Sequence, residues 1–145
     1  MNKFMQLAID EARKGIHNGH GGPFGAVIVK NGQVISIAHN DVLEKGDPTS
    51  HAEIEAIREA SRNLDSPNLF GCEIYTTGKP CPMCESAIKW AKIQQVYYGC
   101  DYEDARKIDF DECSGNSKEY NEKQIHHKEC QELYDEYKSL NSQRY

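Results

Sequence analysis

Apolar residues recur along the chain in two patterns, which predict its helices and its strands. In four stretches they return every three or four residues, which is typical of helices with one buried face. Four shorter apolar runs are bounded by turn residues and are typical of strands, and Asn31-Gly32 between the first two runs predicts a tight β-hairpin. The predicted helices span residues 4–15, 51–64, 81–92 and 128–140, and the predicted strands span residues 24–30, 33–39, 72–77 and 94–100.

The order of these elements predicts an α/β fold. A helix and a hairpin come first, and strands and helices then alternate as far as residue 100, which indicates a mixed sheet with helices on both faces. The polar stretch 111–123 is predicted to be a loop. Trp90 shares a helix face with Ala87 and is predicted to lie in the core. A length of 145 residues fits one domain, which we take to span residues 1–145.

Composition and charge narrow the class of protein. The chain is 38% hydrophobic and carries a net charge of −6, which argues against a nucleic-acid partner because phosphate binding normally needs a basic face. Neither a signal peptide nor a stretch of roughly 20 apolar residues is visible in the sequence, so we expect a cytoplasmic protein without a membrane partner. In that reducing compartment, the six cysteines favour metal binding or catalysis over disulfides.

Two short motifs concentrate the side chains that bind metals. They are His51-x-Glu53 and Pro80-Cys81-x-x-Cys84, each at the start of a predicted helix. Cys81 and Cys84 are three residues apart and share a helix face, where two thiolates can bind one ion. Together with His51 they form a three-ligand set that favours zinc and leaves a fourth position for water, as in catalytic sites. Glu53 diverges from His51 on the helix, so we predict that it carries protons for that water.

Each part of this pattern also has an ordinary structural interpretation. A C-x-x-C pair alone occurs in redox centres and in structural zinc sites. Ser50 and Glu53 fit a helix capping box, and His51 alone fits an ordinary helix start. A structural zinc site would need a fourth close ligand, and none of the candidates belongs to a second local motif. Those candidates are Cys72, Cys100, Cys113 and the pair His126 and His127. The two motifs in this order favour the catalytic interpretation.

H-x-E followed by P-C-x-x-C is the signature of the zinc deaminases, and over residues 1–100 the chain resembles the cytidine deaminase superfamily. The resemblance implies a three-layer α/β/α sandwich with a mixed five-stranded sheet. It implies His51, Cys81 and Cys84 as zinc ligands, and it gives Glu53 the role of general acid and base. Within the superfamily the chain is most similar to bacterial guanine deaminases, through the segments GGPFGAVIVKNGQVI, NDV, DPTSHAE, PCPMC and AIKWAK.

The same resemblance implies a substrate pocket. Asn40 matches a residue that hydrogen-bonds the base, and Phe24 matches one that lies against it. Asp111 and Glu112 belong to a segment in which an acidic residue contacts the base. Tyr145 matches a C-terminal aromatic residue that closes the pocket of a swapped partner subunit. Ordinary interpretations are a strand end for Asn40, the core for Phe24, a solvated surface pair for the two acids and a frayed terminus for Tyr145.

The chain also departs from the guanine deaminase pattern. Lys79 stands where a glutamate is usual before the zinc motif, and residues 111–145 match only loosely. These departures concern substrate recognition and leave the zinc motifs intact. A homodimer follows from the resemblance alone, and contact of segment 111–145 with a partner subunit, or its exchange between subunits, is a further option.

The resulting expectation is zinc-dependent hydrolysis of guanine to xanthine and ammonia. Glu53 would take a proton from the attacking water and return it to a ring nitrogen and to the departing amine. Asp111 or Glu112 would accept from N–H groups of the substrate, which would favour guanine over cytosine. A tRNA adenosine deaminase shares both zinc motifs but must bind a phosphate backbone. Cytosine or another aminated heterocycle is a further substrate option, and a structural zinc module is the non-enzymatic alternative.

Overall fold

A five-stranded mixed sheet lies at the centre of the fold. The structure is a computed structural model in which residues 1–111, 120–140 and 144–145 are described. The strands are β1 (Gly25–Lys30), β2 (Gln33–His39), β3 (Cys72–Gly78), β4 (Gln95–Cys100) and β5 (Asn121–Gln124). They lie side by side in the order β2-β1-β3-β4-β5. β1 is antiparallel to both β2 and β3, whereas β3, β4 and β5 run parallel to one another.

Helices cover both faces of this sheet. They are α1 (Lys3–His17), α2 (Val42–Lys45), α3 (Ala52–Leu64), α4 (Pro82–Trp90), α5 (Tyr102–Arg106) and α6 (His127–Ser139). α1 and α6 touch each other and contact β1 and β4 respectively, while α3 contacts α4 together with β1 and β2. Ser36 in β2 donates to the carbonyl of Ala56 in α3, whereas His39 contacts Glu11 in α1. Because successive strand side chains point to opposite faces, these contacts place α1 and α3 on opposite sides. The predicted α/β class and the three-layer arrangement are confirmed.

The β1–β2 hairpin has the turn that its sequence predicts. Asn31 and Gly32 both have positive φ angles, of 50° and 77°, as the two central residues of a type I′ turn require. At the other end of β1, a Cβ atom on Gly25 would lie 2.1 Å from the carbonyl oxygen of Ala8. Glycine at this position therefore lets α1 lie directly on the sheet, and the two glycines fix the hairpin and its helical cover.

Residues 121–123 were predicted to lie in a loop, and this prediction is wrong. They belong to β5, a short strand at the sheet edge whose residues are all exposed. The strand forms through backbone pairing with β4 and buries no apolar side chain, so no hydrophobic rhythm marks it in the sequence. The rest of the predicted loop includes residues 112–119, which lie outside the described residues.

Trp90 was predicted to lie in the core, and this prediction is also wrong. Its side chain is 83% exposed. The buried face of α4 consists instead of Cys84, Glu85 and Ile88. Trp90 lies off this face, which continues at the buried Ala91. Within the part of the chain that the structure describes, no helix is long and apolar enough to cross a membrane.

Candidate metal centre and its cleft

Helices α3 and α4 begin side by side, and the residues at their N-termini supply the metal donors. His51 is the N-cap of α3 and Cys81 is the N-cap of α4, both with extended backbone angles. Pro82 occupies the first turn of α4, where its missing N–H costs no hydrogen bond. Because α3 and α4 are in contact, the two caps and Cys84 in the first turn of α4 face one another. The local sequence at each helix start thus positions the donors.

The three donor atoms have the spacing of zinc ligands. His51 Nδ1 lies 3.6 Å from Cys81 Sγ and 3.6 Å from Cys84 Sγ. The three ligand atoms all lie within 4.8 Å of one another. A tetrahedral ion with bonds of about 2.1 Å to nitrogen and about 2.3 Å to sulfur places such donors about 3.6 Å apart. Imidazole and thiolate are also the ligands that zinc prefers, so both the distances and the chemistry fit this metal.

Cys81 and Cys84 have pKa values shifted in opposite directions. The Cys84 thiol donates to Cys81, and this hydrogen bond, with a further one to His51, lowers the pKa of Cys81 to about 4. The same contact and burial raise the pKa of Cys84. Cys81 is therefore a thiolate at neutral pH, and the helix N-terminus that it caps favours that negative charge. A divalent cation would replace the Cys84 proton and hold both sulfurs as thiolates.

Glu53 lies next to these donors and is 7% exposed. Its carboxyl group interacts with the Cys84 thiol. Burial raises the pKa of Glu53, and the negative charge of Cys81 raises it further. The capping-box interpretation of Glu53 is wrong, because α3 begins one residue later than that motif requires and its N-cap, His51, makes no side-chain capping bond. A buried carboxyl beside a metal site is suited to proton transfer.

An open cleft of about 350 Å³ lies against the donors, within the size range of small-molecule sites. Its lining consists of His51, Cys81, Pro82, Met83, Phe110, Asp111 and Tyr145. Asp111 therefore lines the cleft and its substrate contact stays a prediction, whereas Glu112 lies outside the described residues. Phe110 also lines the cleft and was not among the site residues predicted from the sequence. A larger cavity of about 440 Å³ lies between α5 and α6 and contains none of the thiols or the imidazole.

Asn40 is completely buried, and half of its amide is committed to the backbone. Its Oδ1 accepts a hydrogen bond from the N–H of Val42 at 3.0 Å. Its Nδ2 has no partner among the described residues. An unpaired buried donor is costly, so such groups usually have a role beyond packing. The hydrogen-bonding capacity of the Asn40 amide nitrogen is therefore left unused by the described residues.

Aromatic rings form one wall of the cleft. The ring centroid of Phe110 lies 5.1 Å from that of Tyr145 and 5.2 Å from that of Phe24. The Tyr145 hydroxyl accepts a hydrogen bond from the N–H of Gly22 at 3.3 Å. Phe24 is buried and also packs edge-to-face on Tyr134. Tyr145 therefore lies at the cleft of its own chain, while Phe24 lies in the core against Phe110.

Lys79, the departure beside the zinc motif, is engaged elsewhere. Its Nζ lies 3.5 Å from Glu122 Oε1 in β5. It also lies over the rings of Tyr98 and Tyr102, at 5.7 and 5.2 Å from their centroids. The lysine thus links β3 to the edge strand and to α5, and the metal donors keep their arrangement.

Comparisons with known proteins agree with this geometry. Residues 1–100 match the model of a family described as the cytidine and deoxycytidylate deaminase zinc-binding region. Guanine deaminase of Bacillus subtilis is 45% identical over 109 residues, which are 75% of this chain and 70% of that protein. A tRNA-specific adenosine deaminase of Aquifex aeolicus is 46% identical over 95 residues, which are 66% of this chain and 62% of that protein.

One solved structure is similar over almost the whole fold. It is that of an NE0047 variant in complex with 8-azaguanine, with a TM-score of 0.89 and 25% sequence identity. The similarity covers 95% of this chain and 84% of that chain. The mixed five-stranded sheet and its helices are therefore shared with a protein that binds a guanine analogue.

We predict that replacing His51 with Ala removes the zinc that remains bound through gel filtration. Loss of one of three protein ligands weakens binding, and metal content by mass spectrometry of the purified protein measures it. The matched control is Cys72→Ala, which removes a buried thiol of β3 outside the cluster and should leave this zinc in place. A His51→Ala protein with stoichiometric tightly bound zinc would contradict the assignment.

Proposed function

The chain belongs to the zinc-binding cytidine and deoxycytidylate deaminase family, and from this membership we propose that it hydrolyses guanine to xanthine and ammonia. The observation that carries the proposal is a set of three zinc donors and a buried carboxyl group beside a cleft of about 350 Å³. A cleft of this size suits a free base and leaves its mouth open to solvent.

The zinc ligands in this proposal are His51, Cys81 and Cys84. Their 3.6 Å separations and the thiolate character of Cys81 support it. When bound at these donors, zinc supplies Lewis acidity and makes a water molecule nucleophilic at neutral pH. Three protein ligands leave a position for that water, whereas a structural site would be closed by a fourth.

Glu53 moves the protons of the reaction. Its carboxylate takes a proton from the attacking water as oxygen bonds to C2 of guanine, and it delivers that proton to a ring nitrogen. It then transfers the remaining proton of the added hydroxyl to the amino group, so that ammonia leaves and a carbonyl remains. The burial of Glu53 and its raised pKa support this role, because a proton carrier must accept and release protons near neutral pH.

Recognition of the base involves four further residues. The unpaired Nδ2 of Asn40 donates to an acceptor on the ring, which gives that buried donor a partner. The carboxylate of Asp111 accepts from the N–H groups on the amino edge of guanine. Tyr145 covers the base from the aromatic wall of the cleft. Phe24 supports that wall from the core side, and the second acidic candidate, Glu112, remains a prediction.

The alternative substrates differ in the surface charge that their binding requires. A tRNA substrate is the nearest rival, because several relatives are tRNA-specific adenosine deaminases. Such a substrate brings a phosphate backbone, which is repelled by a chain with a net charge of −6. The binding of 8-azaguanine by a protein of the same fold supports guanine.

We predict that Glu53→Gln lowers kcat for ammonia release by about 10²–10⁴-fold or more while the zinc content stays unchanged. The amide keeps the size of the side chain but cannot carry a proton. Glu59→Gln, on the same helix but away from the donors, is the matched control and should keep full activity. If Glu53→Gln released ammonia at the wild-type rate, Glu53 would not be the proton carrier, whereas a structural module would release no ammonia even as the wild-type chain.

A substrate panel tests the choice of base. Guanine, guanosine, cytosine, adenine and a tRNA anticodon hairpin are each incubated with the protein, and ammonia is measured. Guanine should be the best substrate by kcat/KM, because its N–H edge complements Asp111. The Glu53→Gln protein, purified in parallel, reports any contaminating activity. Deamination of the hairpin alone would overturn the guanine proposal and leave the family assignment intact.

The homodimer implied by the resemblance is part of this proposal, and the end of α4 is its contact surface. Trp90 is 83% exposed and Phe70 is 63% exposed, and shallow clefts beside them share Lys89 and Lys92. Tryptophan is enriched in protein interfaces and is seldom left so exposed. The predicted cytoplasmic location remains a prediction.

Light scattering after size exclusion measures this assembly. We expect a mass of twice 16.5 kDa for the wild-type chain and a shift toward 16.5 kDa for Trp90→Lys. Lys92→Ala, a change on the same surface that keeps both exposed aromatic side chains, should leave the dimer in place. A wild-type monomer at micromolar concentration, or a dimer that is unaffected by Trp90→Lys, would exclude this surface.

A further inference from the structure

Three side chains that can bind a metal converge at a second place, and none of them lines the zinc cleft. His20 Nδ1 lies 2.9 Å from His39 Nε2. Asp41 Oδ1 lies 3.0 Å from His39 Nε2 and 3.6 Å from His20 Nδ1. We propose that His20, His39 and Asp41 form a second metal site, which binds a divalent ion of the zinc type. None of the three belongs to the zinc motifs.

The distances suit a common ion. Bonds of about 2.0–2.2 Å from a metal to imidazole nitrogen and carboxylate oxygen place neighbouring donors about 2.9–3.5 Å apart. The three observed separations fall within that range or next to it. Two imidazoles and one carboxylate are a donor set that borderline ions such as zinc and iron(II) use in proteins. The thiolates of the cleft form a softer set, so the two sites differ in chemistry.

The hydrogen bonds around His39 orient it as a ligand. Its Nδ1 lies 2.5 Å from Glu11 Oε2, so the Nδ1–H donates to that carboxylate. A neutral ring then has its lone pair on Nε2, directed at Asp41 and His20. Metal-bound histidines commonly donate their other N–H to a carboxylate in this way. With a lone pair and a carboxylate oxygen 3.0 Å apart, the cluster needs either a cation or an additional proton between them.

Access and surroundings also suit an ion. The side chains of His39, Asp41 and His20 are 16%, 20% and 27% exposed, so an ion can reach donors that are largely held in place. Glu44 lies 3.7 Å from the second nitrogen of His20 and adds negative charge. Lys45 lies 3.9 Å from the other oxygen of Asp41 and leaves Oδ1 to the cluster.

A third group of metal-binding side chains has a different explanation. Asp101 and Asp104 form the capping box of α5. Asp104 also accepts hydrogen bonds from Gln131 and is paired with His127 at 2.6 Å. Its carboxylate is therefore fully used in joining α5 to α6. His127 is therefore a suitable control, because it forms a histidine–carboxylate pair in a group whose carboxylates already serve the capping box of α5 and the contact with α6.

An ion at the second site would cross-link two segments next to the cleft. His20 precedes Gly21 and Gly22, and the N–H of Gly22 donates to Tyr145. Asp41 follows the buried Asn40. The ion would thus join the glycine-rich loop to the end of β2, and its binding should stabilise the fold.

The test counts ions on the zinc-loaded protein. Cobalt(II) is titrated into wild-type protein that retains its cleft zinc, and bound cobalt is measured by equilibrium dialysis. We expect one cobalt per chain in the wild type and none in His20→Asn or Asp41→Asn, with the cleft zinc unchanged in all three. His127→Asn should still bind one cobalt. The melting temperature should rise with cobalt in the wild type and in His127→Asn only.

Two outcomes would overturn the second site. One is a wild-type chain that binds no cobalt, which would assign the cluster to a proton-sharing hydrogen-bond network. The other is cobalt binding that persists in both His20→Asn and Asp41→Asn. Neither outcome bears on deamination, because Glu53 and the cleft donors are intact in every variant. Loss of cleft zinc or of ammonia release would instead count against the proposed function.

Discussion

The arrangement of the site depends on one constraint, which is that two helices begin beside each other with metal donors as their first residues. His51 and Cys81 are N-caps, so their side chains project from the helix starts and not from the packed faces. The sheet sets where those starts lie, because α3 packs on β1 and β2 and also touches α4. The partial positive charge of the two helix N-termini also favours negative charge there, which stabilises the thiolate form that a divalent cation binds.

Much of the fold could be predicted because buried helix and strand faces produce a regular spacing of apolar residues in the sequence. The four long helices and the hairpin follow their apolar patterns, and Asn31-Gly32 marks its turn. The strand β5 could not be predicted, since it is held by backbone pairing alone and its residues are exposed. Trp90 was misplaced because the face that it shares with Ala87 was taken as the packed one, whereas Cys84, Ile88 and Ala91 form the packed face.

The candidate site likewise has residues that could be predicted from the sequence and residues that could not. The zinc donors lie in two short motifs that are visible in the sequence, and the two motifs meet because α3 and α4 begin side by side. The second cluster joins His20 to His39 and Asp41, and no short motif contains all three. They meet because β2 returns beside the glycine-rich loop. Asn40 and Asp111 could be named through the resemblance, whereas the unpaired amide nitrogen of Asn40 is visible only once the structure shows where its oxygen is bonded. Contacts with Phe110 and Gly22 hold Tyr145 at the cleft of its own chain, and the sequence of a terminal residue does not indicate such contacts.

The claim on which the rest depends is a zinc ion held by His51, Cys81 and Cys84. X-ray absorption at the zinc edge, on protein carrying one tightly bound zinc per chain, measures the ligand set directly. With these ligands we expect two sulfur neighbours at about 2.3 Å and two lighter neighbours at about 2.0–2.1 Å, one of them an imidazole nitrogen. Four sulfur neighbours, or none, would contradict it.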